Sequence, residues 1–348
     1  MAAPFLGLLL TELAVRAFDL GPRPRVEPED PDATVVMPAP SSELGFRPRP
    51  NSQRRLRIHP PGGAGEAWVV ERVNRHGFRG PAVSSAKPPG VFRIACLGDS
   101  HTYGFAVGDG ATWPAQLEAR LRERLPGRAI EVLNAGVNGY DTVQEVQWLK
   151  EGVLGFEPDL VLLAYFANDA VVPNAELDAE VRRDWLLELC HPLRDNWLAT
   201  LRRYSRTAEA LAESTYRRRR FAQVGARLHS QIAPDFPGWH RSRQALLTAE
   251  ERLAELGIEF GVVLFPLLVA EPAAEHGRLA SSDPFRIVAQ FLEARGIPHF
   301  DAEPCLGDRD PEALRVSEGD MHAGPEAYAL VGAGVADWLA ENRQALGI

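Results

Sequence analysis

From residue 92 onward the chain alternates short apolar runs with amphipathic stretches, and this alternation constrains the fold more than any other feature. The runs at 92–97, 130–133, 159–165, 258–265 and 297–301 read as strands. Between the first two, residues 113–125 place Leu117, Leu121 and Leu125 four apart, one face of a helix. Residues 142–154, 249–256, 284–294 and 325–341 read as further helices, with Gly257 positioned as a C-cap. The run at 159–165 is apolar almost throughout rather than alternating, as a strand covered on both faces must be. Strands separated by helices imply a parallel, doubly wound five-stranded α/β sheet.

Two stretches interrupt this pattern. Ten prolines fall between residues 22 and 61, a density that excludes continuous helix or ladder pairing. Inside this proline-rich extension, 54–59 and 67–73 read as a hairpin around Pro60-Pro61-Gly62-Gly63, and Asn74-Arg75-His76-Gly77 reads as a turn. Residues 171–248 are helical in texture but too long for a connection, so they read as a helical insertion. Its run Arg217-Arg218-Arg219-Arg220 is a solvated helix face or an anion contact. The expected organisation is an apolar N-terminal helix or truncated anchor at 1–20, the extension at 21–91 and an enzyme-like domain at 92–345.

The chain has 348 residues, long enough for a substantial core without metal or disulfide staples. Its 38 basic against 47 acidic residues give a net charge of −9, which argues against a nucleic-acid partner. Because 36 of the basic residues are arginine, arginine runs carry little weight by themselves. Cys96, Cys190 and Cys305 stand far apart without zinc spacing, and one disulfide among them is open. The run at 2–10 is shorter than the roughly 20 apolar residues a bilayer span needs. It admits membrane association through the N-terminus, as the end of a truncated anchor, or a short helix docked on a cytoplasmic body.

Four segments carry the chemistry. Leu97-Gly98-Asp99-Ser100 follows the first strand, where open parallel sheets bind ligands. Ser100 either presents a nucleophilic hydroxyl there or simply caps the next helix. Asn134-Ala135-Gly136-Val137-Asn138-Gly139 follows the second strand, as a turn or as a backbone N–H donor to an oxyanion. Phe166-Ala167-Asn168-Asp169 follows the third, as an Asx-type turn or an amide donor. Gly319-Asp320-Met321-His322 precedes the last helix, where His322 is a helix-start hydrogen bonder or a general base. His101, next to Ser100, reads as packing more readily than as a substrate contact. Tyr103, Tyr140 and Tyr165 read as core.

Each segment alone is ambiguous, but the sheet brings all four to one edge. Together they resemble the SGNH hydrolases, the GDSL-like esterases and lipases, over roughly residues 92–340. The resemblance implies a flavodoxin-like sheet and assigns Ser100, Gly139, Asn168 and His322 to the family's four blocks. It implies a Ser-His-acid acyl-enzyme mechanism in which Ser100 N–H, Gly139 N–H and the Asn168 amide form the oxyanion hole, with no metal or organic cofactor. Two positions depart from the family: Phe166 stands where glycine is common, and Gly319 stands where the acid is expected, three before the histidine. Asp320 is the favoured acid, ahead of Glu318 and Asp301.

The expected function is a serine esterase or carbohydrate O-deacetylase acting on a small-molecule or glycan acyl ester. An O-acetyltransferase would use the same residues, and a catalytically inert envelope-binding domain is the reading from another class. Substrate identity and oligomeric state have no sequence signal.

Overall fold

In this computed structural model the described residues are 11–16, 26–63, 65–170, 197–212, 215, 231–270, 279–317, 320–343 and 346–348. The chain divides into two compact units, one of residues 1–24 with 172–227, the other of residues 25–171 with 228–348. The run Arg217–Arg220, Cys190 and Glu318 lie outside the described residues.

Among its described residues the larger unit has ten strands: β1 (Val26–Pro28), β2 (Val36–Pro38), β3 (Phe46–Pro48), β4 (Ser52–Ile58), β5 (Ala67–Val73), β6 (Val91–Leu97), β7 (Ala129–Asn134), β8 (Leu160–Tyr165), β9 (Glu259–Leu264) and β10 (His299–Asp301). The last five form the expected parallel sheet in the order β10-β9-β8-β6-β7. Every residue of β8 is buried, as its unbroken apolar run requires. The order reverses beside β6, so the turns after β6, β7 and β8 meet over one crevice.

Local chemistry sets the helix ends. Helix α1 is the single turn Ser100–Tyr103, capped by Asp99 and closed by Gly104 in the left-handed conformation. Helix α2 (Trp113–Arg124) starts on Thr112 with Pro114 in its first turn. Helix α3 (Thr142–Trp148) opens on a capping box between Asp141 and Gln144 and continues into a π-turn at Leu149–Val153. The smaller unit contributes helix α4 (Trp197–Tyr204), and the helix expected at 249–256 is part of a longer one, α5 (Pro237–Glu255). Its buried stripe Trp239, Ser242, Ala245, Leu246, Ala249 and Leu253 is masked in sequence by arginines and glutamines on the outer face. Helices α6 (Ser282–Arg295) and α7 (Pro325–Glu341) complete the layers.

The extension is not a free tether. Strands β4 and β5 form the expected hairpin, with β1 added at its edge. The turn at Asn74 is tied by its own side chain, whose Oδ1 accepts the N–H groups of His76 and Phe78. Arg79 then bridges hairpin and sheet: its backbone N–H donates to Asn134 O at 3.0 Å, and its buried guanidinium pairs with Asp109. Phe78, 1% exposed, packs against Trp148 and Phe156.

In the smaller unit, Glu12 accepts from the Ser205 hydroxyl and the backbone N–H groups of Arg206 and Thr207, capping the turn after α4. Among the described residues no helix is long and apolar enough to cross a membrane. The thiols of Cys96 and Cys305 are unpaired.

Candidate active site

The turn after β6 presents Ser100 at the first position of α1. Asp99, 1% exposed, fixes that turn by accepting the His101 N–H at 2.8 Å. Burial pushes the Asp99 carboxyl up to about 6, against the lowering effect of that hydrogen bond. The turn after β7 is sewn to this one by Val137 N–H donating to Gly98 O at 2.9 Å. A side chain on Gly136 would collide with Tyr103 N at 2.2 Å, so this glycine permits the close backbone approach. Gly139 is exposed and holds φ +82°, and an added Cβ there meets nothing nearer than Phe46 Cζ at 3.8 Å. Its constraint is therefore conformational, not steric.

The turn after β8 divides its work between neighbours. Asp169 accepts the Phe166 N–H at 2.5 Å and the Thr142 hydroxyl at 2.7 Å, so its side chain closes the turn backward onto the strand end rather than forward as an Asx turn. Asn168 is left half-buried, with Nδ2 donating to Tyr140 O at 3.0 Å.

His322 comes from the loop before α7. Its Nε2 lies 2.8 Å from Ser100 Oγ, and its Nδ1 lies 2.6 Å from Asp320 Oδ1. The same Oδ1 accepts the His322 backbone N–H at 2.9 Å, so the two-residue spacing bends the carboxylate back onto the ring. With Nδ1–H donated to Asp320, Nε2 is the lone-pair nitrogen and accepts from the seryl hydroxyl. Burial opposes the imidazolium, but the hydrogen bond and charge of Asp320, then the charges of Asp99 and Glu71, outweigh it. The pKa of His322 is raised above its ordinary value. The side chain remains 27% exposed, open to a reactant from solvent.

Among the described residues, neither the Ser100 N–H nor the Gly139 N–H donates to another protein group. Asp301, the third candidate acid, ends β10 and accepts the Glu303 N–H, the strand-end turn role expected of it.

Packing around the imidazole was only partly legible. His101 is 1% exposed and stacks on His322 with ring centroids 5.1 Å apart, so its packing role is against the base itself. Burial holds His101 well below the ordinary imidazole range, hence neutral. Phe166, in place of the family's glycine, packs inward on His101 at 3.8 Å. Tyr103, Tyr140 and Tyr165 are all buried. Phe105 and Glu71, which also reach this region, have no spacing or motif that would have singled them out.

The parallel sheet thus joins a serine, an imidazole and a carboxylate at its switch point, an arrangement suited to acyl-transfer chemistry. Residues 96–330 match the GDSL-like Lipase/Acylhydrolase family, and the chain belongs to it. A curated relative, an acetylxylan esterase of Xylanibacter ruminicola, is 29% identical over 133 residues, covering 35% of this chain. The match spans only 26% of that relative's length. Among solved structures, Axe2, an acetylxylan esterase from Geobacillus stearothermophilus, is 14% identical with a TM-score of 0.44, covering 74% of this chain and 94% of that one. TesA is 14% identical with a TM-score of 0.43, over 71% of this chain and 97% of that chain.

Proposed function

We propose that the protein is a carbohydrate O-deacetylase that cleaves acyl esters by covalent catalysis at Ser100. The observation that carries this reading is the unbroken chain from Ser100 Oγ to His322 Nε2 and from His322 Nδ1 to Asp320, at 2.8 and 2.6 Å. Ser100 Oγ attacks the ester carbonyl carbon while Nε2 takes its proton. The tetrahedral oxyanion is held by the N–H groups of Ser100 and Gly139 and by the side-chain amide of Asn168, which turns to it from Tyr140 O and the Asp99 carboxylate. His322 then gives its proton to the departing alkoxide, leaving the acyl group on Ser100. Water, deprotonated by the same imidazole, attacks the acyl carbon, and collapse restores the serine. Asp320 stabilises the imidazolium in both halves and is not itself protonated. A glycan as the alcohol half is supported by the sequence match to an acetylxylan esterase.

The test is a fluorophosphonate probe followed by turnover of acetylated xylan, other acetylated glycans and aryl acetates. Labelling at Ser100, acetate release from a glycan and loss of turnover in Ser100→Ala are expected. Residual activity above about 10% in Ser100→Ala would place the nucleophile elsewhere, given the losses typical of triad members. Faster deacylation with a sugar acceptor, giving an acetylated sugar, would make the protein a transferase.

A further inference from the structure

The family match begins at residue 96, yet one of the most deeply buried carboxylates near the active site lies on the extension hairpin. Glu71 of β5 is 0% exposed. It accepts from Arg54 Nε across the hairpin at 2.5 Å, from Ala106 N–H at 2.7 Å and from Tyr103 Oη at 3.3 Å. Residues 103 and 106 bracket Phe105. Ala106 has φ +59°, a conformation that an alanine holds only where its surroundings dictate it. The Glu71 acceptor on the Ala106 N–H is such a constraint.

What this pinned turn presents is the Phe105 ring. It lies against His322 with centroids 4.6 Å apart and planes tilted by 43°, and His101 stacks on the same imidazole at 5.1 Å. The base therefore belongs to a connected column of ring contacts: Phe166 on His101, His101 on His322, His322 on Phe105. The guanidinium of Arg54, held by Glu71, closes the column at 5.4 Å from the Phe105 centroid.

We propose that Glu71, together with Arg54, makes the extension a working part of the active site: Glu71 is a positioning residue that fixes Phe105 and, through it, the plane of the His322 imidazole. The inference rests on His322 being the base, as argued above. The column restricts ring rotation and tilt, while the Asp320 bond at 2.6 Å fixes only one atom of the ring. A base that swings off the Ser100 direction loses in-line proton transfer, and small misplacements of this kind cost up to about 100-fold in rate.

The charged and titratable groups that face the imidazole are Asp320 from its own loop, Asp99 and His101 from the β6 turn, Glu71 from the hairpin with Arg54 behind Phe105, and Tyr328 from α7. Burial keeps His101 and Tyr328 neutral. Asp320, Asp99 and Glu71 favour the imidazolium. Removing the Glu71 charge therefore lowers the pKa of the base and shifts the acid limb of kcat/KM to lower pH. The shift of the limb reads the Glu71 charge at the base, and the fall in kcat reads the placement of the ring.

The experiment is a double-mutant cycle on the full chain with an aryl acetate, using Glu71→Gln, Phe105→Ala and the double variant, with Phe105→Tyr as rescue. Each single change is expected to lower kcat by about 10- to 100-fold with little change in KM. The double variant is expected to be no worse than the poorer single by more than about threefold, because both act through one ring. Phe105→Tyr is expected to restore most of kcat. Multiplicative losses, unchanged kcat in Glu71→Gln, or an unmoved acid limb would overturn the proposal. Should Glu71→Gln be insoluble, Glu71→Asp takes its place in the cycle, with the same coupling expected and the same additivity refuting it. Fluorophosphonate labelling of the unmodified protein separates the two readings. No labelling at Ser100 removes the catalytic assignment, whereas normal labelling with unaffected variants removes only the role of Glu71.

Discussion

Asp320→Asn isolates the charge of the acid from its geometry. In the structure one oxygen, Oδ1, accepts both the backbone N–H of His322 at 2.9 Å and its Nδ1–H at 2.6 Å. The backbone donor has to face an acceptor, so an asparagine at this position is held with its carbonyl, not its NH2, toward the histidine. The Nδ1–H bond then survives as a neutral one and the working tautomer is kept. What disappears is the charge assistance, roughly half the strength of such a bond, and the stabilisation of the imidazolium. A loss of about 100-fold in kcat/KM follows, about 2.7 kcal/mol of barrier. That is less than the roughly 10⁴-fold seen where the substitution also inverts the tautomer. Asp320→Ala removes the acceptor as well and is expected to fall further, toward about 10⁴-fold. Because Asp320 raises the pKa of His322, the acid limb of kcat/KM is expected to move to lower pH in Asp320→Asn. Steady-state hydrolysis of an aryl acetate between pH 4 and 9 reads both quantities. If Asp320→Asn stays within a few fold while Glu318→Gln loses more, Asp320 is not the acid. If neither matters, the enzyme works as a Ser-His dyad.

Asn168→Ala is expected to lower kcat by about 3 kcal/mol of transition-state stabilisation with KM within a few fold, and an unchanged kcat would reduce Asn168 to a turn residue. Burial pushes the Asp99 carboxyl from its ordinary 3.8 up to about 6, so wild type is expected to lose stability as pH rises from about 4 to 6. Asp99→Asn keeps a good cap and should flatten that slope in thermal midpoints; a slope equal to wild type would assign the dependence to other groups. A chain beginning near Phe92 removes the partners of Asp109, Ala106 and Tyr103 and is expected to keep its sheet with a lowered unfolding midpoint, whereas an unchanged midpoint would make the extension an independent tether.

The sheet and its edge were legible because their signals are local. The β8 run from Leu160 to Tyr165 is buried along its whole length, and each functional turn follows directly on a strand. The spacing between Asp320 and His322 was legible in the same way, since two residues of loop can bend a carboxylate onto its neighbour without help from elsewhere in the fold. Helix α5 was cut short because its outward arginines and glutamines dilute a buried stripe that only the facing layer makes visible.

Glu71 and Phe105 escaped for a different reason. Glu71 sits on β5, a strand whose side chains alternate in burial only in part, and a glutamate there reads as solvent-facing until the strand is laid against α1. Its partners are 32 and 35 residues away in the chain, so no window of periodicity contains them. Phe105 follows the serine motif closely, yet nothing local tells whether its ring turns to solvent, core or base. That choice is made by the backbone of Ala106, and the backbone of Ala106 is set by a carboxylate from the extension. Residues that do chemistry lie where strands end and are found by motif. The groups that hold them in place come from whichever element the fold lays alongside, and in this chain that element precedes the family's own span.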